Sequence, residues 1–279
     1  MIISRNIKNV VNIIKKVKSK KKIVGFVPTM GALHKGHLSL VKTAKKDCDF
    51  VVVSIFVNPT QFGPKEDYKK YPRTFKKDKK LLEREGVDLV FYPTVKTMYP
   101  KDFSTYVQEV FLSNVLCGDS RPGHFKGVCT VVSKLFNIVK PDIAYFGQKD
   151  YQQAQIIKRM VADLNFGIKV KVLPIIREPD GLAFSSRNMY LDKIERKQAT
   201  ILFKALTLAK QLIKGGIKDS NIIIKKMKKL ILSQDFAKID YIKIVDPKTL
   251  RDVEKIEKKV VVALAVFIGK TRLIDNIIV

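Results

Sequence analysis

Apolar residues recur at helical spacing from the start of the chain. Ile7, Val10, Val11, Ile14 and Val17, with lysines between them, predict an amphipathic first helix. Lys22 to Pro28 reads as a short buried strand running into Thr29-Met30-Gly31-Ala32-Leu33-His34-Lys35-Gly36-His37, and an apolar-periodic segment, Leu38 to Ala44, follows. A strand, a glycine-bearing turn and a helix start in this order open a βα unit of the nucleotide-binding kind.

The alternation repeats. Phe50 to Val57 is a near-continuous apolar run, as expected of a parallel strand covered on both faces. A charged stretch from Lys65 to Glu85 reads as partly helical and stops at Gly86. Val87 to Tyr92 reads as a strand, His124 to Val139 as a helix closed by Pro141, Ile143 to Phe146 as a strand, Asp150 to Leu164 as a helix, and Ile168 to Ile176 as a strand. Strands separated by helices predict a parallel sheet. After Arg177 the texture changes: a long helix from Glu195 to Lys214 ended by Gly215-Gly216, a second from Asn221 to Leu232, then three strand-like runs at 239–245, 260–268 and 273–279. The expected class is α/β, with a parallel-sheet domain over residues 1–177 and a smaller α+β domain with an antiparallel sheet over 178–279, the change falling near 177–187. A site between two such modules is the default expectation.

Composition narrows the functional classes. The 279 residues are 46% apolar, too many for a disordered chain. Three widely spaced cysteines, Cys48, Cys117 and Cys129, form neither a disulfide framework nor a CxxC zinc pair, and point to a reducing compartment. No secretory pattern opens the chain, and its longest pure apolar run, Val260 to Ile268, is far short of the ~20 residues of a spanning helix. A soluble cytoplasmic protein is expected. Lys and Arg number 54 against 26 Asp and Glu, a formal charge of +28. Such a field attracts polyanions, so nucleic acid is one partner to weigh. The lysines are scattered along the chain, however, and read as solvated faces.

Chemistry concentrates after the strands, where open α/β sheets hold their ligands. His34 and His37 share a helix N-terminus, a place that binds anions through free N–H groups. There they could donate to phosphoryl oxygens; a zinc pair lacks further ligands nearby, and plain surface histidines are the other reading. Gln61, in Asn58-Pro59-Thr60-Gln61-Phe62, offers a donor and an acceptor to a small polar substrate, although Asn-Pro is also an ordinary turn opener. Gly147-Gln148-Lys149-Asp150 again follows a strand; Lys149 could neutralise phosphates, and Asp150 reads as a helix cap or a ribose acceptor, with Gln153 on the same side. Ser185-Ser186-Arg187-Asn188 could close over a triphosphate, or its serine could cap a helix. Arg121 reads as an anion clamp or a surface residue, His124 as structural.

Taken together, PTMGALHKGHLSL (28–40), SIFVNPTQF (54–62), YPRT (71–74), RPGHFKGVCTVVSKLFNIVKPDIAYFGQKDYQQ (121–153) and IIREPDGLAFSSRN (175–188) closely resemble the pantoate–β-alanine ligase (pantothenate synthetase) family. The resemblance covers the first two-thirds of the chain closely and the rest more loosely. It implies a Rossmann-type nucleotidyltransferase domain with a C-terminal lid domain. It implies the reaction of ATP, pantoate and β-alanine to pantothenate, AMP and diphosphate, through an enzyme-bound pantoyl-adenylate, with Mg²⁺ accompanying ATP and no tightly bound protein-ligated metal. By resemblance, ATP-binding residues are Met30, Gly31, Ala32, Leu33, His34, Lys35, Gly36, His37, Gly147, Gln148, Lys149, Asp150, Ile176, Phe184, Ser185, Ser186 and Arg187. His37, His34 and Lys149 are the catalytic set, His37 matching the family's proton donor, and Gln61 and Gln153 hold pantoate, Gln61 also touching β-alanine. Histidines, Lys149, Arg187, Mg²⁺ and helix N-termini are expected to supply positive potential. Phe184 departs from the family's usual Met or Leu. A homodimer is implied, with no membrane or nucleic-acid partner. The competing readings are another adenylyltransferase with the same histidine motif and a nucleic-acid-binding protein.

Overall fold

The computed structural model describes residues 1–64 and 66–279. Lys65, from which the charged stretch is read, lies outside the described residues. Six strands form one parallel sheet: β1 (Ile2–Ser4), β2 (Val24–Thr29), β3 (Phe50–Ile55), β4 (Leu89–Phe91), β5 (Ile143–Gly147) and β6 (Lys169–Leu173), in the order β1-β4-β3-β2-β5-β6. The sheet is covered on both faces, which is why its central strands read as unbroken apolar runs. On one face α1 (Ile7–Ser19), α6 (His124–Val139) and α7 (Tyr151–Asp163) bury Val10, Ile14, Phe136 and Ile157. On the other, α2 (Lys35–Asp47) and α3 (Phe75–Arg84) bury Val41 and Leu82. Two single-turn helices, α4 (Val95–Met98) and α5 (Cys117–Ser120), lie in the connection before α6.

The order of strands sets the position of the site. The chain leaves β2 for β3 and β4 on one side, whereas β5 and β6 lie on the other, so the topological switch falls between β2 and β5. These two strands pair only at Gly25–Ile143 and Phe26–Ala144, although β2 runs on to Thr29 and β5 to Gly147. Pro28 has no N–H to give a ladder. The carboxyl ends therefore part, and the crevice opens there.

Two expectations are corrected. The long helix from Glu195 to Lys214 is two helices, α8 (Lys193–Gln198) and α9 (Ile201–Lys214). Thr200 Oγ donates to the Lys197 carbonyl (2.9 Å), a local bond that competes with the helix ladder at the break. The start lies earlier because Asp192 and Glu195 form a reciprocal capping box. The edge strand β1 escapes the apolar pattern because its one buried residue, Ser4, is polar. Then come α10 (Ser220–Ile231) and an antiparallel sheet of β7 (Ala237–Val245), β8 (Val261–Ile268) and β9 (Thr271–Ile278). Strand β8 is apolar throughout because both its faces are covered. Val262, Leu264 and Val266 pack with α9 and α10, while Val261 and Ala263 join the core beneath α6 and α7. No helix among the described residues is long and apolar enough to cross a membrane.

Candidate active site

Strand β2 ends in a turn of unusual backbone. Gly31 (φ 81°) and Ala32 (φ 50°) are both left-handed, a conformation costly for the alanine. The turn is held from behind by Asp78 of α3. Its buried carboxylate accepts the N–H of Ala32 (3.0 Å) and Leu33 (2.8 Å) and the hydroxyl of Thr74 (3.2 Å).

The backbone then delivers His34 as the N-cap of α2 and His37 as its third residue. His34 Nδ1 accepts the Gly36 N–H (3.2 Å), and His37 Nδ1 accepts the His34 N–H (3.4 Å). A Cβ on Gly36 would meet the His34 ring at 3.0 Å, so glycine gives this fold-back room that a side chain would tighten. The imidazoles lie with centroids 4.0 Å apart. Each spends Nδ1 as an acceptor, so the neutral ring carries its hydrogen on Nε2. Burial holds His34 down to about 2, helped by His37 and Lys149. Burial also holds His37 down to about 4, with Asp150 opposing and Lys149 adding to the shift. In the ligand-free cavity burial thus favours neutral imidazoles with Nε2–H available as a donor.

Both rings line a cavity of about 210 Å³ at the parted strand ends. Of the residues expected to bind ATP, Met30, His34, Gly36, His37, Gly147, Lys149, Asp150, Ile176, Phe184, Ser185, Ser186 and Arg187 line it, as do Gln61 and Gln153. Gly31, Ala32, Leu33, Lys35 and Gln148 do not. Gly31 faces a neighbouring hollow of about 260 Å³, Ala32 and Leu33 are buried against Asp78, and Lys35 holds its ammonium 5.8 Å above the Phe184 ring. The Gln148 side chain donates to Asn276 of β9 (3.2 Å).

Several single-residue expectations also change. Asp150 caps no helix with its side chain and stays exposed at the cavity. Ser185 does cap a short turn, accepting the Arg187 N–H (3.3 Å), while Ser186 Oγ donates to the Ala32 carbonyl (3.0 Å) and stitches this loop to the histidine turn. Arg187 is paired with Asp67 through two hydrogen bonds (3.0 and 2.8 Å). Arg121 is neither a clamp in the cavity nor a loose surface group. It pairs with Glu66, and both it and His124 bond the Gln61 carbonyl, His124 at 2.7 Å. Phe184 lies nearly parallel to His34, centroids 6.0 Å apart, so the larger ring roofs the imidazole.

Sequence reasoning missed several contributors. Asn58 is a buried organiser: its Nδ2 donates to Gln61 Oε1 (3.1 Å) and to the Gly127 carbonyl (3.0 Å), and its Oδ1 accepts from Tyr99 (2.8 Å). That leaves Gln61 Nε2 as the free-facing donor, resting against Met30 Sδ at 3.1 Å. A Cβ on Gly127 would lie 2.2 Å from the Thr60 carbonyl oxygen, so α6 meets this turn only at a glycine. Tyr71 lines the cavity with Arg187 5.9 Å from its ring. Asp78 and Asn276 lie outside the cavity but hold its walls. The readable signal for Asp78 is its place on the apolar stripe of α3, between Phe75 and Leu82. Among the described residues no group of three or more His, Cys, Asp or Glu side chains could hold a metal ion.

The depressed histidines give a prediction about the ligand-free protein. Between pH 6.5 and about 4 the unfolded chain binds protons at these positions that the folded chain refuses. Stability is therefore fully present above pH 6.5 and lost as the pH falls. At pH 5.5 the double variant His34→Gln, His37→Gln should take up about two fewer protons on unfolding than the unaltered protein. Calorimetry in buffers of different ionisation heat measures this, and equal uptake by both proteins contradicts it.

A parallel sheet parted at its switch point, with paired imidazoles on a helix N-terminus, a lysine on the adjoining turn and a serine–arginine loop across from them, defines a nucleotidyl-transfer protein of the open α/β class. A family model for pantoate-beta-alanine ligase matches residues 2–278. The pantothenate synthetase of Thermosipho melanesiensis is 63% identical over 260 residues, 93% of this chain and 92% of its own length. That of Caldicellulosiruptor bescii is 56% identical over 279 residues, 100% and 99%. The chain superposes on the crystal structure of pantothenate synthetase from Thermus thermophilus with a TM-score of 0.95 at 42% identity, covering 99% of each chain. A Francisella tularensis pantoate-beta-alanine ligase, crystallised with beta-gamma ATP and beta-alanine, matches at a TM-score of 0.81 and 39% identity, covering 99% of this chain and 97% of that one. The chain belongs to the pantoate–β-alanine ligase family and is a ligase.

Proposed function

We propose that the ATP-dependent condensation of pantoate with β-alanine runs in this chain through an enzyme-bound pantoyl-adenylate formed in the cavity between β2 and β5. The observation that carries the proposal is the convergence of His34, His37, Lys149, Gln61 and Gln153 on one cavity. A carboxylate does not acylate an amine in neutral water, because its oxygen is a poor leaving group. In the first step a pantoate carboxylate oxygen attacks the α-phosphorus of ATP; the bond from that phosphorus to the bridging oxygen breaks, and diphosphate leaves. Nε2–H of His37 and His34 donate to phosphoryl oxygens as charge builds there, and Lys149 neutralises the outer phosphates. Mg²⁺ enters on the nucleotide phosphates as part of the substrate. In the second step the β-alanine amine attacks the acyl carbon, AMP leaves and the amine gives up a proton. Gln61 and Gln153 hold pantoate in line for attack, and Gln61 also touches β-alanine. Enclosure protects the mixed anhydride from water.

Residues 1–177 act in this reading as the ATP- and pantoate-binding domain and 178–279 as a lid. A homodimer, inferred from the family resemblance, belongs to the same proposal. The test is a coupled AMP assay with each substrate omitted in turn. AMP should form with ATP, pantoate and β-alanine together and fall to background without any one of them. AMP release with other small acids, and none with pantoate, overturns the assignment.

A further inference from the structure

Strand β9 of the C-terminal sheet carries two adjacent polar residues, Asp275 and Asn276, both 3% exposed. Asp275 accepts the neighbouring Asn276 N–H (2.8 Å), and both side chains reach beyond the sheet. Asp275 takes two hydrogen bonds from Arg177 (2.6 and 3.0 Å), on the segment leading to the Phe184–Arg187 loop. Asn276 Nδ2 donates to the carbonyl oxygens of Gln148 (2.9 Å) and Lys149 (3.0 Å), and its Oδ1 accepts from Gln148 Nε2 (3.2 Å). Carbonyls only accept, so the amide orientation is forced by these partners. All three bonds end on the turn that aims Lys149 into the cavity. The Asp150 side chain accepts no N–H at the start of the following helix, and the carbonyls of the turn are held separately, by Asn276.

We propose that Asn276 is a positioning residue for adenylate formation: by clasping the carbonyls of Gln148 and Lys149 from the C-terminal sheet, it sets the Lys149 ammonium against the departing diphosphate. Docking of the C-terminal sheet thereby becomes a condition for the first chemical step. The inference rests on the reading of Lys149 as a phosphate ligand in a two-step reaction. Groups that act by orientation are sensitive to small displacements, on the order of 100-fold in rate for about 1 Å.

The experiment separates the half-reactions. Adenylation is followed as pantoate-dependent exchange of diphosphate into ATP, and amine capture as a single turnover of the isolated enzyme–adenylate complex with β-alanine. Asn276→Ala should lower adenylation roughly 10- to 100-fold and leave capture within about twofold. Asn276→Ser, which keeps one donor, should fall between, and it reads the same split if the alanine variant does not fold. Tyr241→Phe removes another contact between the same sheet and the first domain, the Tyr241–Cys117 bond (3.2 Å), and should leave both steps unchanged. Equal losses in both half-reactions of the Asn276 variants, or none in either, overturn the clasp. If the unaltered protein shows no pantoate-dependent exchange, or if Lys149→Ala adenylates normally, it is the underlying reading that fails.

Discussion

Replacing His37 with Ala is expected to lower the rate of adenylate formation by two or more orders of magnitude, the scale of losing one preorganised donor at a centre of developing charge. The reason lies in how the ring is held. Its position as the third residue of α2 places it in the first turn of the helix, with Nδ1 committed to the His34 N–H and the ring lining the cavity. Burial keeps the ring neutral, so the donor is present throughout the neutral range without a titration to gate it. No reorganisation is needed when the phosphoryl oxygens acquire charge, and preorganisation of this kind is where such donors derive their effect. The variant should fold, because His34 still caps the helix through the Gly36 N–H. Rapid-quench measurement of adenylation, with folding checked by circular dichroism, tests this. An unaltered rate in a folded variant removes His37 from the chemistry.

Replacing Asp78 with Ala is expected to lower the free energy of unfolding by about 2–6 kcal/mol, since two buried backbone donors lose their acceptor. Asp78 is 1% exposed, so in the folded protein its carboxylate is the acceptor of these donors in place of water. Its loss also releases the Gly31–Ala32 turn, whose left-handed alanine persists only while its surroundings hold it. The adenylation rate should therefore fall even where the variant is fully folded. Urea denaturation gives the stability change, and diphosphate exchange at low temperature gives the rate. A variant within about 1 kcal/mol of the original would show that the turn holds itself.

Local regularities carry most of what is legible in the sequence. The helix over His124–Val139 matches its expected limits because Gly123 and Pro141 bracket a largely apolar stretch that is buried over most of its surface. The histidine turn, the Lys149 turn and the serine–arginine loop are legible because each follows a strand end or a texture change, and a parallel sheet brings strand ends together. Asn58 is hidden for the opposite reason: Asn-Pro in a row looks like turn chemistry, and nothing nearby in sequence shows that Gly127, 69 residues away, supplies the carbonyl that orients it. Asp150 misleads because a carboxylate before a helix usually caps it, whereas here Asp150 is itself the last residue of a short 3-10 turn that runs directly into the helix, and its side chain makes no cap bond.

Residue order alone settles the α/β alternation, the antiparallel module after it and most of the groups that line the cavity, since each depends on periodicity and on turn residues within a few positions. Folding in three dimensions settles how those groups are used. The Nε2–H tautomers of His34 and His37, the depth of their burial, the Asp67 partner of Arg187 and the hold of Asn276 on the Lys149 turn all depend on atoms brought together across the chain. Hydrogen-bond direction and desolvation are set by close neighbours in space, and a linear pattern names the neighbours only along the chain.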